Sequence, residues 1–310
     1  MATRAKYKAW KRRKIIKHII RFNILLFVLL SGLILSLRAC ETDSVIHPDY
    51  EINSEEITFI LLNGMQDELE IRLHELIDQT AGIVGLSYYC LTTGRQIEIN
   101  ADETFFAAST IKLPTHMMIA ELVQAGSLSW YEYLTFTPEY FMDGSGVLQY
   151  DIRSGDTFTV AELMRYSIVY SDNIAHRLLL NTFSQRYELT ESLFERYLPG
   201  ESILGRSIIT PNQLTEVFKI LYRGRGYVAG YRQILEYMMN TSWTDRFATA
   251  MVDGYVAHTP GWTFPYSHDS GIFFTRYPYI LVIMTSGVPS ASDFLSDVSD
   301  IVFELHYEFQ

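Results

Sequence analysis

A run dominated by apolar residues lies near the start of the chain, at residues 22–37, "FNILLFVLLSGLILSL". Isoleucines between residues 15 and 20 extend it, and roughly 20 apolar residues are enough to span a bilayer. Residues 1–22 carry nine lysines and arginines and no acid, a bias that keeps residues 1–21 in the cytoplasm. The pattern predicts a single-pass membrane anchor, with the rest of the chain outside the cell.

A cleaved or lipid-modified leader is the alternative to an anchor, because secretory signals also join a basic segment to an apolar one. The run ends in "LRAC" at Cys40, and Arg38 stands where such a signal has a small or apolar residue. This arginine favours the uncleaved anchor. Residues 38–56 are polar and predict a short stalk, followed by one extracellular domain over residues 57–310.

Beyond the stalk, the spacing of apolar residues predicts a helix, two strands, a long helical block, three strands and a closing helix. The first helix covers residues 65–80, and its predicted apolar face consists of Leu69, Ile71, Leu73, Leu76 and Ile77. Thr92-Thr93-Gly94 predicts a hairpin turn between the first two strands. A further turn is predicted at Gly144-Ser145-Gly146.

This order of elements predicts an α+β fold, within the broad α/β class. The simplest closure is one antiparallel sheet built from both chain ends, with the terminal helices on one face and the middle helices forming a second lobe. An active site between the two lobes would take groups from both.

Composition excludes several classes of function. The formal net charge of −11 becomes −20 without the nine N-terminal cations, and such an acidic body lacks the clustered cations that nucleic-acid phosphates require. Cys40 and Cys90 do not make a disulfide framework, and Cys90 is expected to be a buried apolar residue. The eight histidines show no metal-binding spacing. We therefore expect no nucleic acid, no metal and no cofactor.

One lysine stands out in the chain. Past residue 37 the sequence has only Lys112 and Lys219 as lysines, against fourteen arginines. Lys112 follows Ser109 by three positions, so both lie on one face of a helix, and a lysine in a desolvated site can act as a base whereas arginine cannot. A serine needs such a base to become a nucleophile. The pair predicts a serine nucleophile with a lysine base.

A second motif strengthens this interpretation. Ser171-Asp172-Asn173 follows between two helical stretches, and S-x-x-K, S-D-N and K-T-G together are the signature of class A β-lactamases and penicillin-binding proteins. The chain resembles that family over residues 60–310, including the hairpin before Ser109 and the closing strand pair at residues 254–274. The resemblance implies the penicillin-recognising serine hydrolase fold. It also implies a β-lactam or a D-Ala-D-Ala-type cell-wall peptide as substrate.

The resemblance assigns roles to individual residues. Ser109 would be the acylated nucleophile and Lys112 its base. Ser171 would pass a proton to the leaving nitrogen, and Asn173 would bind the amide side chain of the substrate. The backbone N–H groups of Ser109 and Trp262 would form the oxyanion hole, where donors already face the developing charge.

The third motif departs from the family. Thr259, Pro260 and Gly261 stand where Lys-Thr-Gly is typical, and the missing lysine normally attracts the substrate carboxylate. We expect Thr259 and Gly261 to contact the substrate. If Thr259 points into the cleft, His258 points away from it, because side chains alternate along a strand; a bulge at Pro260 would reverse this arrangement. Substrate binding should be weaker, while the oxyanion donor at Trp262 is retained.

The hydrolytic step also lacks its usual group. Class A β-lactamases carry a glutamate in an E-x-x-L-N loop after S-D-N, and the nearest match here is Glu201, with glycine in place of the asparagine. Glu201 is more consistent with a surface acid than with a catalytic one, and Glu191 and Glu195 with a solvated helix face. Acylation is therefore expected to exceed deacylation.

Two alternatives to a β-lactamase-like enzyme remain at this point. The degraded third motif suits a non-catalytic module that binds peptidoglycan or a protein partner at the cell surface. A plain esterase is the other, although no G-x-S-x-G motif is present and only the S-x-x-K pair would support it.

Overall fold

The structure of the protein is a computed structural model that describes residues 54–187, 197 and 207–307. The predicted cytoplasmic segment, membrane anchor and most of the stalk lie outside these residues. Among the residues that are described, no helix combines the length and the apolar character needed to cross a bilayer.

Ten strands are present in the described part of the chain. They are β1 (Ile83–Cys90), β2 (Gln96–Ile99), β3 (Phe105–Phe106), β4 (Tyr133–Thr135), β5 (Thr157–Thr159), β6 (Ile208–Ile209), β7 (Val256–His258), β8 (Gly261–Thr263), β9 (Tyr266–Phe273) and β10 (Tyr279–Ser286). The main sheet has the order β2-β1-β10-β9-β7, with β8 also paired to β9. Its pairs are antiparallel, and β1 lies beside β10, so both ends of the domain build one sheet as the sequence predicts.

Seven α-helices accompany these strands within the described residues. They are α1 (Ser54–Asp78), α2 (Lys112–Gln124), α3 (Val160–Val169), α4 (Asn173–Tyr187), α5 (Pro211–Gly224), α6 (Ala229–Met239) and α7 (Ala291–Tyr307). Thr159 and Thr210 begin α3 and α5 with capping boxes, in which the threonine and the residue three positions later satisfy each other's backbone N–H groups. Hydrophobic residues of α2 to α6 pack together as the helical lobe.

The sheet is covered on both faces, and β10 shows why. Its side chains alternate between two hydrophobic clusters, because successive residues of a strand point to opposite faces. Ile280, Val282 and Met284 join the cluster that contains the helical lobe. Leu281 and Ile283 join the cluster that contains α1 and α7. The terminal helices therefore cover one face and the helical lobe lies against the other.

Two local expectations need correction. Ile71 of α1 is 61% exposed, whereas the buried face consists of residues such as Met65, Leu69 and Leu73, at a spacing of four. The third motif does not lie within one strand, because β7 ends at His258 and β8 begins at Gly261. Pro260 lacks a backbone N–H to donate to a ladder, so the strand is interrupted at this residue.

Candidate active site

Ser109 lies in a tight turn rather than in a regular helix. The turn is a 3-10 helix over Ala108–Ile111, and α2 begins at the next residue. Ala108 has a φ of +48°, a left-handed conformation that a residue with a Cβ adopts at a cost. This backbone brings the half-buried Ser109 into a pocket, where its hydroxyl can meet a ligand.

Lys112 opens α2 and is almost completely buried. Its Nζ donates to the backbone oxygen of Ser171 at 2.6 Å and to Asn173 Oδ1 at 2.8 Å, and it lies 3.3 Å from Ser171 Oγ. These are the hydrogen bonds that Lys112 forms within the described residues, and none of them is to Ser109. Burial lowers the pKa of Lys112 to about 7, although the carboxylate of Asp172 opposes the shift. A substantial fraction of this amine is therefore unprotonated near neutral pH.

The S-D-N segment is held rigidly between α3 and α4. Asp172 is buried, and its carboxylate accepts hydrogen bonds from the backbone N–H groups of Leu148 and Ala175 at 2.8 and 3.0 Å. Ser171 has a φ of +52°, which turns its side chain out of the helical path. The fixed carboxylate thus places Ser171 in the pocket and beside Lys112.

The turn at residues 143–146 packs directly on this segment. Asn173 Nδ2 donates to the backbone oxygen of Asp143, and the backbone N–H of Asn173 donates to that of Ser145, both at 3.0 Å. Gly146 has a φ of +112°, and a Cβ at this position would overlap the carboxylate of Asp172. Glycine is therefore required for the turn to approach Asp172 so closely.

The third motif closes the pocket from the sheet side. Gly261 lies against the nucleophile turn, since a Cβ on it would come within 3.1 Å of the Ala107 oxygen. Trp262 follows on β8 and pairs with Ser267 of β9. His258 is buried, and its Nδ1 lies 2.9 Å from an Asp269 oxygen. As expected, His258 belongs to the core and not to the cleft.

One small pocket brings these elements together. It is lined by Ser109, Ser145, Ser171, Trp243, Arg246, Pro260 and Trp262. Ser109, Ser171 and Trp262, which the sequence predicts to act together, all line it. Lys112 does not line the pocket, but it forms hydrogen bonds with Ser171. Asn173, Thr259 and Gly261 do not line this pocket, and Glu201 lies outside the described residues. In the described part of the chain, no group of three or more His, Cys, Asp or Glu side chains is arranged to hold a metal ion.

Ser145, Trp243 and Arg246 reach the pocket without having been predicted as site residues. They come from the turn before α3 and from the segment after α6, which only the tertiary fold brings to Ser109. One signal in the sequence would have pointed to Arg246. Arg246 is the nearest arginine upstream of Thr259, which stands where the family's lysine is typical.

The pocket brings Ser109 and Ser171 together on an α+β scaffold, and the comparison with known proteins identifies the family of the chain. The profile described as the beta-lactamase enzyme family matches residues 68–305. That match covers most of the chain, which therefore belongs to this family.

Individual relatives are distant. Beta-lactamase VEB-1 from Pseudomonas aeruginosa is 22% identical over 124 residues, which are 40% of this chain and 42% of that protein. The structure of PBP-A is similar with a TM-score of 0.65 at 21% identity, over 78% of this chain and 96% of that one. A β-lactamase from Sphaerobacter thermophilus gives a TM-score of 0.64 at 19% identity, over 74% and 92% of the two chains. At these identities the structural likeness establishes the β-lactamase/transpeptidase-like fold.

Proposed function

We propose that this protein is a serine hydrolase or acyltransferase that forms an acyl-enzyme at Ser109. The observation that carries the proposal is the buried amine of Lys112, which has a pKa of about 7 and lies 3.3 Å from Ser171 Oγ, beside the pocket that Ser109 lines. A base with a pKa near the working pH is efficient in general-base catalysis. Family membership supports the same chemistry.

The residues suggest a complete proton path for acylation. Ser109 Oγ attacks the substrate carbonyl carbon while Lys112 Nζ accepts the hydroxyl proton. The backbone N–H groups of Ser109 and Trp262 stabilise the oxyanion. When the C–N bond breaks, Ser171 Oγ gives its proton to the leaving nitrogen and recovers one from Lys112. The path leaves an ester at Ser109, a free amine and an unprotonated lysine.

The proposed substrates are β-lactams or D-Ala-D-Ala-type cell-wall peptides. The structural relatives support this, since one of them is a PBP-A variant described as an acyl-enzyme complex with penicillin G, at a TM-score of 0.68 and 21% identity. None of the described residues that line the pocket is a carboxylate, so no general base for hydrolysis is evident there. We therefore expect acylation to be faster than deacylation.

The proposal includes a location. Residues 22–37 would anchor the protein in the cell membrane, and the N-terminal cations would hold residues 1–21 in the cytoplasm. The domain would then lie outside, where cell-wall peptides and β-lactams are found. Protease digestion of intact cells tests this location, because an extracellular domain is degraded and a cytoplasmic one is protected.

Intact-mass spectrometry of the full chain after incubation with penicillin G tests the chemistry. A single adduct on the wild type, absent from Ser109→Ala, is the expected result. An adduct that persists identifies a penicillin-binding protein, and one that decays while opened penicillin accumulates identifies a β-lactamase. Labelling that is retained in Ser109→Ala would show that Ser109 is not the nucleophile.

The loss of Lys-Thr from the third motif favours one second candidate, a non-catalytic module that binds peptidoglycan or a partner. A double variant separates the two functions: Thr259→Lys with Pro260→Thr restores the family's motif. If only this variant is acylated, the natural protein is a binding module. If the wild type is already acylated, it is an enzyme.

A further inference from the structure

A second pocket lies on the helical lobe. Its volume is about 280 Å³, and it is lined by residues of α3, of α6 and of the segment between α2 and β4. None of these residues lines the pocket that contains Ser109. Pockets that hold small molecules have volumes from about 300 Å³ upward, so this one accommodates a compact group and not an extended chain.

The floor of this pocket is apolar. Met164 of α3 and Gly230 and Ile234 of α6 line it and are buried. A Cβ on Gly230 would lie 3.0 Å from the ring of Trp130, so glycine lets the indole pack closely on α6. The backbone oxygen of Trp130 also accepts a hydrogen bond from the backbone N–H of Ala161 at 3.0 Å. The floor and the indole are therefore held in place by the lobe itself.

Aromatic side chains make up much of the remaining lining. Trp130, Tyr131 and Tyr237 all line the pocket. Tyr131 is 81% exposed, so its ring is open to a ligand. The face of an aromatic ring carries negative charge density, and it attracts cations. Three such rings at one pocket favour a cation as the ligand.

The charges around the pocket agree with a cationic ligand. None of the described residues that line it is a lysine or an arginine. Gln233 lines the pocket and donates to Glu236 Oε2 at 3.3 Å, so a carboxylate lies directly beside the lining. The formal net charge of −11 becomes −20 without the nine N-terminal cations, and a domain of this charge attracts cations and repels anions.

One arginine acts on the pocket without lining it. Burial raises the pKa of Tyr237, Arg165 lowers it and Glu236 raises it further. The two charged residues therefore act in opposite directions on this hydroxyl. The guanidinium of Arg165 stands 5.7 Å from the centre of the Tyr170 ring, which is not part of the pocket. Arg165 thus interacts with another ring, and the charge of Glu236 offsets its own.

We propose that this pocket binds a small quaternary ammonium ion. Aromatic rings bind such a cation through their faces, while its methyl groups contact an apolar floor. A primary ammonium group would lose more hydration here, because the described lining provides no carboxylate to accept its N–H groups. The free ion suits the site better than a choline lipid headgroup, whose phosphate the acidic domain repels. The site goes beyond the proposed function, because binding there requires neither Ser109 nor an acyl group.

A matched pair of probes isolates the charge of the ligand. Choline and neohexyl alcohol differ in the quaternary nitrogen, which is a carbon atom in the alcohol. Ligand-observed nuclear magnetic resonance gives both dissociation constants for the full-length protein. We expect choline to bind about tenfold more tightly, and added salt to weaken the binding of choline alone. Because the ratio compares two probes on one sample, loss of folded protein does not change it. Equal binding of choline and the alcohol would refute the proposal.

Two exposed tyrosines locate the site. Tyr131→Ala removes a ring that lines the pocket and should weaken choline binding about threefold to tenfold, whereas Tyr131→Phe keeps the ring and should bind choline as the wild type does. Tyr133→Ala is the matched control, because Tyr133 is 67% exposed and does not line the pocket. It should keep wild-type binding. If Tyr131→Ala and Tyr133→Ala bind choline equally, the pocket is not the choline site.

The pocket at Ser109 is the alternative site for a cation, because Trp243 and Trp262 line it. Trp262→Ala should leave choline binding unchanged, and loss of binding in this variant alone would overturn the proposal. Phosphocholine and N-acetylglucosamine should both bind more weakly than choline. Tighter binding of either would assign the pocket to a phosphorylated headgroup or to a neutral sugar instead. None of these measurements depends on acylation of Ser109.

Discussion

At the scale of single residues, the environment of Lys112 decides what its amine can do. The side chain is 6% exposed, and its contacts are polar atoms of Ser171 and Asn173 rather than a carboxylate. An ammonium group in such a place is poorly solvated, so the neutral amine gains relative stability. Arginine would remain charged there, because its pKa is too high for burial of this kind to remove the proton.

The pKa of Lys112 predicts the pH dependence of acylation. The base is active only when unprotonated, so the acylation rate of Ser109 should rise with pH, with a midpoint near 7, and level off above it. Lys112→Arg should lower the rate about 100-fold or more. Lys219→Arg, at the other lysine of the domain, should keep the midpoint. A rate that is independent of pH between 5 and 9, or a fully active Lys112→Arg, would show that Lys112 is not the base.

The same shift predicts a cost in stability. The ordinary lysine pKa is 10.5 and that of folded Lys112 is about 7, so between these values the unfolded state binds more protons. The contribution of Lys112 to stability is therefore complete above about pH 10.5 and is lost as the pH falls toward 7, by about 1.4 kcal/mol per pH unit. Between pH 7 and 9, urea unfolding should show this rise for the wild type.

Lys112→Met provides the comparison, because methionine fills the same space without a proton to bind. It should be more stable than the wild type at pH 7, and its advantage should shrink by about 2–3 kcal/mol on going to pH 9. A difference between the two proteins that does not change with pH would contradict a lowered pKa for Lys112.

The motifs in the sequence group Ser109, Lys112 and Ser171, and the structure places Ser109 and Ser171 in one pocket with Lys112 beside Ser171. Ser109 and Lys112 lie three positions apart, and Ser171 follows in a segment whose helix break is visible in the pattern. Arg246 and Ser145 are separated from these residues by long stretches of chain, and no local spacing relates them to Ser109. Their meeting depends on how the turn before α3 and the segment after α6 pack, which the pattern of apolar residues does not specify.

At the scale of elements, periodicity predicted the order of helices and strands better than their details. The sequence did not show that Ile71 lies outside the buried face of α1. Apolar residues at positions 69, 71 and 73 are two positions apart, and this spacing does not assign them to one face of a helix. Pro260 accounts for the break between β7 and β8, because it has no backbone N–H to donate and so interrupts the strand. Thr159 and Thr210 begin α3 and α5 with capping boxes, and the partner residues three positions later are visible in the sequence.

The turn that supports S-D-N gives a prediction at this scale. Gly146→Ala adds a Cβ that overlaps the Asp172 carboxylate, in a backbone with a φ of +112°. Gly155→Ala is the matched control, because Gly155 has a φ of +93° and nothing within 4 Å of its added Cβ. Both variants should lose about 1–2 kcal/mol from the left-handed backbone.

Gly146→Ala should lose about 2 kcal/mol more than Gly155→Ala, and acylation of Ser109 should slow in it alone, because displacing Asp172 displaces Ser171 and Lys112 together. Urea unfolding and intact-mass kinetics measure the two effects. If both variants lose stability and acylation activity equally, the contact between residue 146 and Asp172 contributes to neither.

At the scale of the whole molecule, the two ends of the domain are joined in one sheet and pack against each other. The central strands β1 and β10 come from opposite ends, and α7 contacts β1 through a buried hydrogen bond of 2.7 Å between His306 Nε2 and Tyr88 OH. The element order alone predicted this closure, because a strand pair at each end of the chain can form one sheet only if the ends meet. The predicted membrane anchor stays a prediction, since it lies outside the described residues.

Buried histidines make the stability of the whole domain sensitive to acid. Burial lowers the pKa of His116 and His306 to about 3, that of His268 to about 4, and that of His176 well below its ordinary value of 6.5. Between 6.5 and 4 the unfolded chain therefore binds protons that the folded protein does not. Each histidine contributes stability that is present above pH 6.5 and is lost as the pH falls, by up to about 1.4 kcal/mol per pH unit.

Acid should consequently unfold the protein well above pH 4, with several protons taken up together. His306→Gln removes one of these protons and keeps a hydrogen-bonding group beside Tyr88, so the loss of unfolding free energy between pH 6.5 and 5 should be about one quarter smaller. The exposed His74→Gln should lose as much as the wild type. Urea unfolding at several pH values measures these slopes. If His306→Gln and the wild type have the same slope, His306 takes up its proton equally in the folded and unfolded states, and its pKa is not lowered by burial.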